Sequence, residues 1–246
     1  MKRIVSSLLV FVSILVLLTN QVSALSPYPS GQVGVDVSWP NCSATIPNGA
    51  PFGIVGVSAG RAYDAGNPCL KAEASHFTNL SLYANTGLNI DTTSSTTNYE
   101  KAYQKANCAT ALDPAICGAY YYGYYAGAQI ANQSVAAGVS SSNWWLDLEM
   151  SNTWNSDVSL NDQSLQGEYD GLHSVLPSIT IGAYSTNYQW GLLAGSTFKP
   201  GWNVWYATAE RRASQVPQYC ATVYSFTGGT IELVQFKGKI DQDYAC

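Results

Sequence analysis

Short runs of β-branched and aromatic residues recur along the whole chain, and their number is the feature that most constrains its fold. Turns rich in Gly, Pro and Asn and several helical stretches separate these runs, and such alternation favours parallel strands in one sheet. Eight strands is the number that closes a β/α barrel. We predict strands at residues 33–38, 52–58, 80–85, 118–124, 144–149, 179–184, 204–207 and 232–236.

Helical character is confined to three stretches, at residues 99–108, 129–137 and 160–176. Helices are weak or missing after the first, second and last predicted strands. No linker or internal repeat divides the chain, and a barrel of this kind commonly occupies about 200 to 250 residues. The sequence therefore predicts an α/β protein that forms a single irregular (β/α)8 TIM-like barrel over residues 25–246.

The first 24 residues have the pattern of a secretory signal peptide. Lys2 and Arg3 precede an apolar run over residues 4–18, and Val22-Ser23-Ala24 supplies small residues at a cleavage site. The run is shorter than the roughly 20 apolar residues that a membrane-spanning helix needs. We expect cleavage after residue 24, secretion to the extracellular space and no membrane association afterwards.

Six cysteines remain after that cleavage, and an even number in an exported chain indicates disulfides, although fifteen pairings are possible. A zinc site is the rival interpretation, but the chain has no C-x-x-C pair, and its two histidines lie in no metal-binding motif. We therefore expect no metal and no cofactor. Pairing between neighbours in sequence would join Cys42 to Cys69, Cys108 to Cys117 and Cys220 to Cys246.

Charge and composition restrict the partners. The formal net charge of −5 becomes −7 once Lys2 and Arg3 are removed, and only 11% of residues are charged. Nucleic-acid binding needs clustered Lys and Arg, which this chain lacks. A surface rich in Tyr, Ser, Asn, Thr and Gly hydrogen-bonds and stacks more than it forms ion pairs. We expect a monomer whose partner is a polysaccharide rather than a nucleic acid or a membrane.

Acidic residues fall at or just beyond predicted strand ends, where barrels carry their reacting groups. Asp36 lies inside an otherwise apolar strand, and Asp241 follows the last strand. In WWLDLEM (144–150) the two-residue period of a strand puts Asp147 and Glu149 on one face and the leucines on the other. Paired carboxylates are what glycoside hydrolysis needs, because one protonates the leaving oxygen while the other supports a positively charged transition state. The alternative is an acidic strand end that only solvates the sheet.

Seven segments occur in the order of matching segments in glycoside hydrolase family 25 lysozymes, which the chain resembles over most of residues 25–246. The segments are GVDVS (34–38), FGIVGVSAG (52–60), WWLDLE (144–149), IGAYST (181–186), NVWYAT (203–208), ELVQF (232–236) and IDQDY (240–244). Enzymes of that family are retaining muramidases that cleave between N-acetylmuramic acid and N-acetylglucosamine.

The resemblance implies a catalytic role for four acids. Glu149 matches the general acid/base, and Asp147 matches its carboxylate partner, which is either a nucleophile or the group that orients a participating N-acetyl group. Asp36 and Asp241 match flanking acids that shape the site electrostatically. The chain departs from the family at Ala59, where an acid is usual, and over residues 91–115, which have no clear counterpart.

Aromatic side chains near strand ends supply flat apolar faces that can stack on sugar rings. We predict substrate contacts by Tyr83, Tyr122, Tyr184 and Trp205, and a hydrogen bond from Gln235 to a sugar hydroxyl. Core packing is the alternative for each ring.

Two other functions stay open. The barrel could bind glycans without cleaving them. Gly56-Val57-Ser58-Ala59-Gly60 also matches the G-x-S-x-G nucleophile elbow of serine esterases, with Asp147 and His173 in the chain order of a triad. Turn residues rather than a helix follow Gly60, and this argues against the esterase.

Overall fold

The structure, a computed structural model, describes residues 26–246. The predicted signal peptide lies outside these residues. None of the helices in the described part of the chain is long and apolar enough to cross a membrane. Eight strands form one closed barrel, in which each strand pairs with the next in sequence and the last closes onto the first. The predicted α/β barrel is therefore confirmed.

The first seven strands run parallel, and the eighth is antiparallel to both of its neighbours. The strands are β1 Val33–Val37, β2 Gly53–Gly56, β3 Leu80–Asn85, β4 Asn143–Asp147, β5 Thr180–Ser185, β6 Val204–Ala207, β7 Ile231–Phe236 and β8 Gln242–Ala245. The α-helices are α1 Leu70–Ala74, α2 Asn98–Lys105, α3 Pro114–Ala137, α4 Val158–Val175 and α5 Asn187–Leu193.

Seven of the eight predicted strands are confirmed, and the strand predicted at 118–124 is wrong. Those residues belong to α3, which begins where the Asp113 carboxylate accepts hydrogen bonds from two backbone amides in the first turn. The strand that completes the barrel is β8, a four-residue segment at the end of the chain. The predicted helix at 129–137 is the second half of α3, while α2 and α4 match the other two helical stretches.

Close packing against α4, at glycine positions, explains why α3 is a helix despite its tyrosines. Small residues recur at helical spacing on one face of α3, and that face lies directly on α4. A Cβ placed on Gly123 would lie 1.9 Å from the Ser164 carbonyl oxygen, and one on Gly167 would lie 2.0 Å from the Tyr120 carbonyl oxygen. The two backbones approach so closely that only glycine fits at these positions.

We expect Gly123→Ala to lower the free energy of unfolding by about 3 kcal/mol, because its methyl group would collide with backbone that cannot move aside. Gly191→Ala in α5 is the matched control. A Cβ there meets nothing within 4 Å. The free energy of unfolding of this variant should therefore rise by up to about 1 kcal/mol, because alanine has a higher helix propensity than glycine. Urea denaturation followed by circular dichroism measures both. Equal free energies of unfolding for wild type and Gly123→Ala would contradict the close packing of α3 on α4.

Strand alternation fills the barrel and covers its outside. Outward side chains such as Leu82 and Leu146 pack into a layer between the sheet and the helices. Inward side chains such as Ile54, Trp145 and Leu233 fill the interior. Trp145 and Leu233 each precede a polar inward residue by two positions, so the apolar filling lies nearer the N-terminal ends of the strands. The polar site is thereby confined to their C-terminal ends.

All three predicted disulfides are confirmed, with Cα–Cα separations of 5.5 to 5.7 Å. Cys42–Cys69 ties the loop after β1 to the start of α1. Cys108–Cys117 ties a turn after α2 to α3, and Cys220–Cys246 fastens the C-terminal residue. The first bridge restrains a loop that forms part of the cavity described next.

Candidate active site

A cavity of about 330 Å³ opens at the C-terminal ends of the barrel strands. All four predicted acids line it, together with four of the five residues predicted to contact substrate. These eight residues are Asp36, Asp147, Glu149, Asp241, Tyr83, Tyr184, Trp205 and Gln235. Side chains that are far apart in sequence, on six of the eight strands or just beyond them, therefore meet in one place.

Asp147 is the last residue of β4, and a chain of buried polar groups holds its side chain. The Asn85 Nδ2 group donates a hydrogen bond to Asp147 Oδ2. Asn85 is itself fixed by Ser58, whose Oγ donates to Asn85 Oδ1 and accepts from the Asn85 backbone N–H, each at 2.9 Å. Asp147 Oδ1 is buried without a hydrogen-bond partner in the described residues. One oxygen of Asp147 is thus anchored by Asn85.

Glu149 lies two residues further along, just past the end of β4 and on the same face as Asp147. Its backbone is held, because the Trp154 Nε1 group donates to the Glu149 carbonyl oxygen at 2.8 Å. Within the part of the chain that the structure describes, its carboxylate accepts one hydrogen bond, from the Ser151 hydroxyl at 3.4 Å. Glu149 is partly exposed whereas Asp147 is buried. Of the two, Glu149 can reach an incoming group with less rearrangement.

A second polar chain crosses the cavity from β5 to β1. The Tyr184 hydroxyl donates to Gln235 Oε1 at 2.8 Å, and Gln235 Nε2 donates to Asp36 Oδ2 at 3.1 Å. The Asp36 backbone N–H also donates to the Asp241 carbonyl oxygen at 3.2 Å. These bonds fix the orientation of Asp36 and place Asp241 beside it.

Sequence reasoning missed Asp243, which lies on β8 inside the barrel and is completely buried. The Trp205 Nε1 group donates to Asp243 Oδ1 at 2.7 Å. The signal was present in IDQDY, where Asp241 and Asp243 alternate with the two-residue period of a strand. It was overlooked because β8 itself was not predicted.

Burial and mutual repulsion raise the pKa values of the clustered acids. Burial raises the pKa of Asp36 to about 7, and the negative charge of Asp241 adds to this. Burial, followed by the charges of Glu149 and Asp36, raises the pKa of Asp147 well above its ordinary value. Burial raises the pKa of Glu149 as well. The site therefore retains protons near neutral pH and can offer both a proton donor and a proton acceptor.

Tyr122 is the one predicted substrate residue that the structure places elsewhere. It lies on α3, not on a strand, and its ring packs against Tyr63 with the ring centroids 4.9 Å apart. Tyr122 does not line the carboxylate cavity, because residues 118–124 belong to α3 and not to a barrel strand.

The structure agrees with the sequence argument against a nucleophile elbow at Ser58. Ser58 is fully buried and is engaged with Asn85, and the next α-helix begins only at Leu70. His173 lies on α4, where its ring nitrogens face the carbonyl oxygens of Tyr169 and Ile179 at 3.2 and 3.0 Å. The geometry contains no serine triad built on these residues.

The sequence matches no protein-family model and no curated protein. Solved structures share its fold. One is the modular autolysin LytC from Streptococcus pneumoniae in complex with a synthetic peptidoglycan ligand, with a TM-score of 0.53 and 10% identity over 86% of this chain. Another is the spore cortex lytic enzyme SleM from Clostridium perfringens, with a TM-score of 0.51 and 11% identity over 87% of this chain.

The match covers 46% of LytC and 67% of SleM, so this chain spans less than half the length of the autolysin. A muramidase from Acremonium alcalophilum also matches, with a TM-score of 0.47 and 10% identity over 87% of this chain and 93% of that one. Of these three structures, LytC and SleM have TM-scores above 0.5. With the closed eight-stranded barrel, these similarities show that the chain shares the barrel fold of LytC and SleM.

Proposed function

We propose that this protein is a secreted glycoside hydrolase of the lysozyme type that cleaves peptidoglycan or a related amino-sugar polymer. The observation that carries the proposal is the carboxyl pair of Asp147 and Glu149 at the C-terminal end of β4, inside a cavity walled by aromatic rings. Three disulfides are consistent with an oxidising extracellular destination, as is the signal peptide predicted from the sequence.

In this proposal Glu149 is the general acid and base, because its partly exposed carboxyl can reach a glycosidic oxygen. Asp147 is the second carboxyl, which faces the developing positive charge or orients an N-acetyl group of the substrate. Asn85 and Ser58 are positioning residues, since they hold Asp147 without touching substrate. Asp36 and Asp241 act by charge, because Asp36 raises the pKa of Asp147 and Asp241 raises the pKa values of Asp36 and Glu149.

The aromatic residues of the cavity have two roles in this proposal: some contact the sugar, and others hold those residues in place. Tyr83 is partly exposed to the cavity, so its ring can lie against a sugar. Trp205 is only 1% exposed, and its ring centroid lies 4.5 Å from that of Tyr184 and 6.1 Å from that of Tyr83. We assign Trp205 to the floor of the cavity, where it fixes the two tyrosines.

Incubation of the mature protein with peptidoglycan tests this function. We expect new reducing ends that mass spectrometry identifies as N-acetylmuramic acid, with the anomeric configuration retained in the first product. New ends that carry N-acetylglucosamine alone would contradict the muramidase assignment but would leave a glycosidase.

A glycan-binding barrel without activity is the second candidate, and one observation favours it. Asp147 is buried with a strongly raised pKa, and such a carboxyl ionises with difficulty in the free protein. Binding of glycan strands in isothermal titration calorimetry, without any new reducing end after long incubation, would establish this alternative.

A further inference from the structure

A second pocket, of about 210 Å³, lies at the same end of the barrel. Its walls come from the loops after β2, β3 and β4 and from α2 and α3. The residues that matter to the argument are Arg61, Tyr63, Asn89, Asn98, Tyr122 and Asn152. Part of the wall is supplied by residues 91–115, the stretch that has no counterpart in the family pattern.

Two loops connect this second pocket to the carboxylate cavity. In the first loop, Asn85 binds Asp147, and the next residue, Thr86, lines the second pocket while its hydroxyl donates to the Asp147 carbonyl oxygen at 2.7 Å. In the other loop, Glu149 lines the cavity and Asn152 lines the second pocket, and the Asn152 backbone N–H donates to the Glu149 carbonyl oxygen at 3.1 Å. The second pocket is therefore adjacent to the carboxylate cavity, so one polymer can contact both.

The polar groups of the second pocket have the opposite character to those of the cavity. Among residues 26–246, no acidic residue lines it, and Arg61 is its one charged lining residue and is exposed. Asn152 Nδ2 is buried without a hydrogen-bond acceptor in the described residues. An unpaired buried donor is costly, and an acceptor on a ligand would remove that cost. The pocket is therefore suited to a group that brings carbonyl or carboxylate oxygens.

The wall around Arg61 is held in place before any ligand arrives. Tyr63 adopts a left-handed backbone conformation, with φ at 59°, which is uncommon for a residue other than glycine. Its hydroxyl donates to the Tyr122 carbonyl oxygen at 2.7 Å. The Asp64 carboxylate accepts from the backbone N–H groups of Arg61 and Gly66 at 3.0 and 2.8 Å. A strained backbone fixed in this way is typical of binding sites.

We infer that the second pocket binds an acidic peptide attached to the glycan strand, with Arg61 on a carboxylate and Asn152 on an amide carbonyl oxygen. The inference rests on the proposed function, since it names a further part of the same substrate. A neutral sugar would leave Arg61 without a partner, so the charge of the pocket favours the peptide. The protein would then prefer glycan strands that carry peptides over bare strands.

The test compares two substrates prepared from one source, namely peptidoglycan strands with their peptides and the same strands stripped of peptides by an amidase. Wild type should cleave the peptide-bearing strands with a kcat/KM about tenfold or more higher, which is the range that a charged hydrogen bond supplies. Arg61→Gln should lose this preference and keep the wild-type kcat/KM on stripped strands. Lys101→Gln is the matched control, because it removes an exposed positive charge from α2 outside the second pocket.

A direct binding experiment separates this inference from the proposed function. The free acidic peptide is titrated into the Glu149→Gln protein, and into the same protein with Asn152→Asp, which replaces the unpaired donor by a negative charge. Binding that Asn152→Asp abolishes would support the inference even if no strand is cleaved. Equal kcat/KM for Arg61→Gln and wild type on peptide-bearing strands, or a peptide affinity unchanged by Asn152→Asp, would overturn it. Tighter binding of stripped strands would instead identify a sugar subsite.

Discussion

We expect Glu149→Gln to abolish glycan cleavage while it leaves folding and glycan binding intact. The amide keeps the shape of the carboxyl, but it cannot deliver a proton to the leaving oxygen. General acid catalysis contributes about 100-fold to 10,000-fold, equivalent to roughly 3 to 5 kcal/mol of transition-state stabilisation. The measurement is the initial rate of reducing-end release, with circular dichroism to confirm the fold and calorimetry to confirm binding.

Glu232→Gln is the matched control for this variant. Glu232 is partly exposed like Glu149, and burial raises its pKa to about 7, but it lies on β7 next to an inward residue and does not line the cavity. Its Oε1 atom accepts a bond from Asn203 Nδ2, which the oxygen of a glutamine can still accept. We expect wild-type rates from Glu232→Gln. Wild-type rates from Glu149→Gln would refute its role as the acid.

The orientation of the side chains on β4 could be predicted from sequence, because one local rule decides it. In β4 the two-residue period directs Trp145 and Asp147 inward, and the structure places Leu146 and Leu148 in the outer layer against the helices. Asp36 and Gln235 were identified by a different local signal, as polar residues inside predicted strands. Each of these residues occurs in a strand whose length and composition identify it without any knowledge of its partners.

Other parts of the site depend on contacts between distant segments, which no local pattern reveals. The tyrosines at 120–125 have strand propensity, but the glycines beside them pack on α4, and this tertiary contact decides for a helix. The short β8 is a strand because β1 and β7 pair with it at the closure of the barrel. The hydrogen bonds from Ser58 through Asn85 to Asp147 likewise join three separate segments. No local sequence pattern therefore indicated that these three residues interact.

Asp147→Asn should remove activity as severely as Glu149→Gln and at the same time stabilise the protein. The substitution deletes the charge that faces the developing positive charge of the transition state, and the loss of such an electrostatic contact costs about 100-fold to 1,000-fold. The fold should not suffer, because the asparagine oxygen can still accept the hydrogen bond from Asn85 Nδ2. Reducing-end release measures the first effect, and urea denaturation at several pH values measures the second.

The direction of the pH dependence follows from the raised pKa values. Burial raises the pKa of Asp147 in the folded protein above the value near 4 of an unfolded aspartate, so the folded state holds the proton more tightly. The stability that this proton confers is complete below about pH 4 and declines as the pH rises toward the folded pKa. Asp36 contributes in the same direction between about pH 4 and its own pKa of about 7. Wild type should therefore lose stability from pH 4 to pH 8.

Asp147→Asn should lose less stability than wild type over this range, because its amide has no proton to give up, and its advantage should grow with pH. Asp157→Asn is the control of opposite sign. Asp157 is exposed at the start of α4, where the Ser159 hydroxyl and backbone N–H lower its pKa, so its removal should bring no gain at pH 8. If Asp147→Asn is instead less stable than wild type at pH 8, then the bond from Asn85 stabilises the Asp147 anion more than burial destabilises it. In that case Asp147 is ionised in the free protein and is already prepared to act as the carboxylate that faces the sugar.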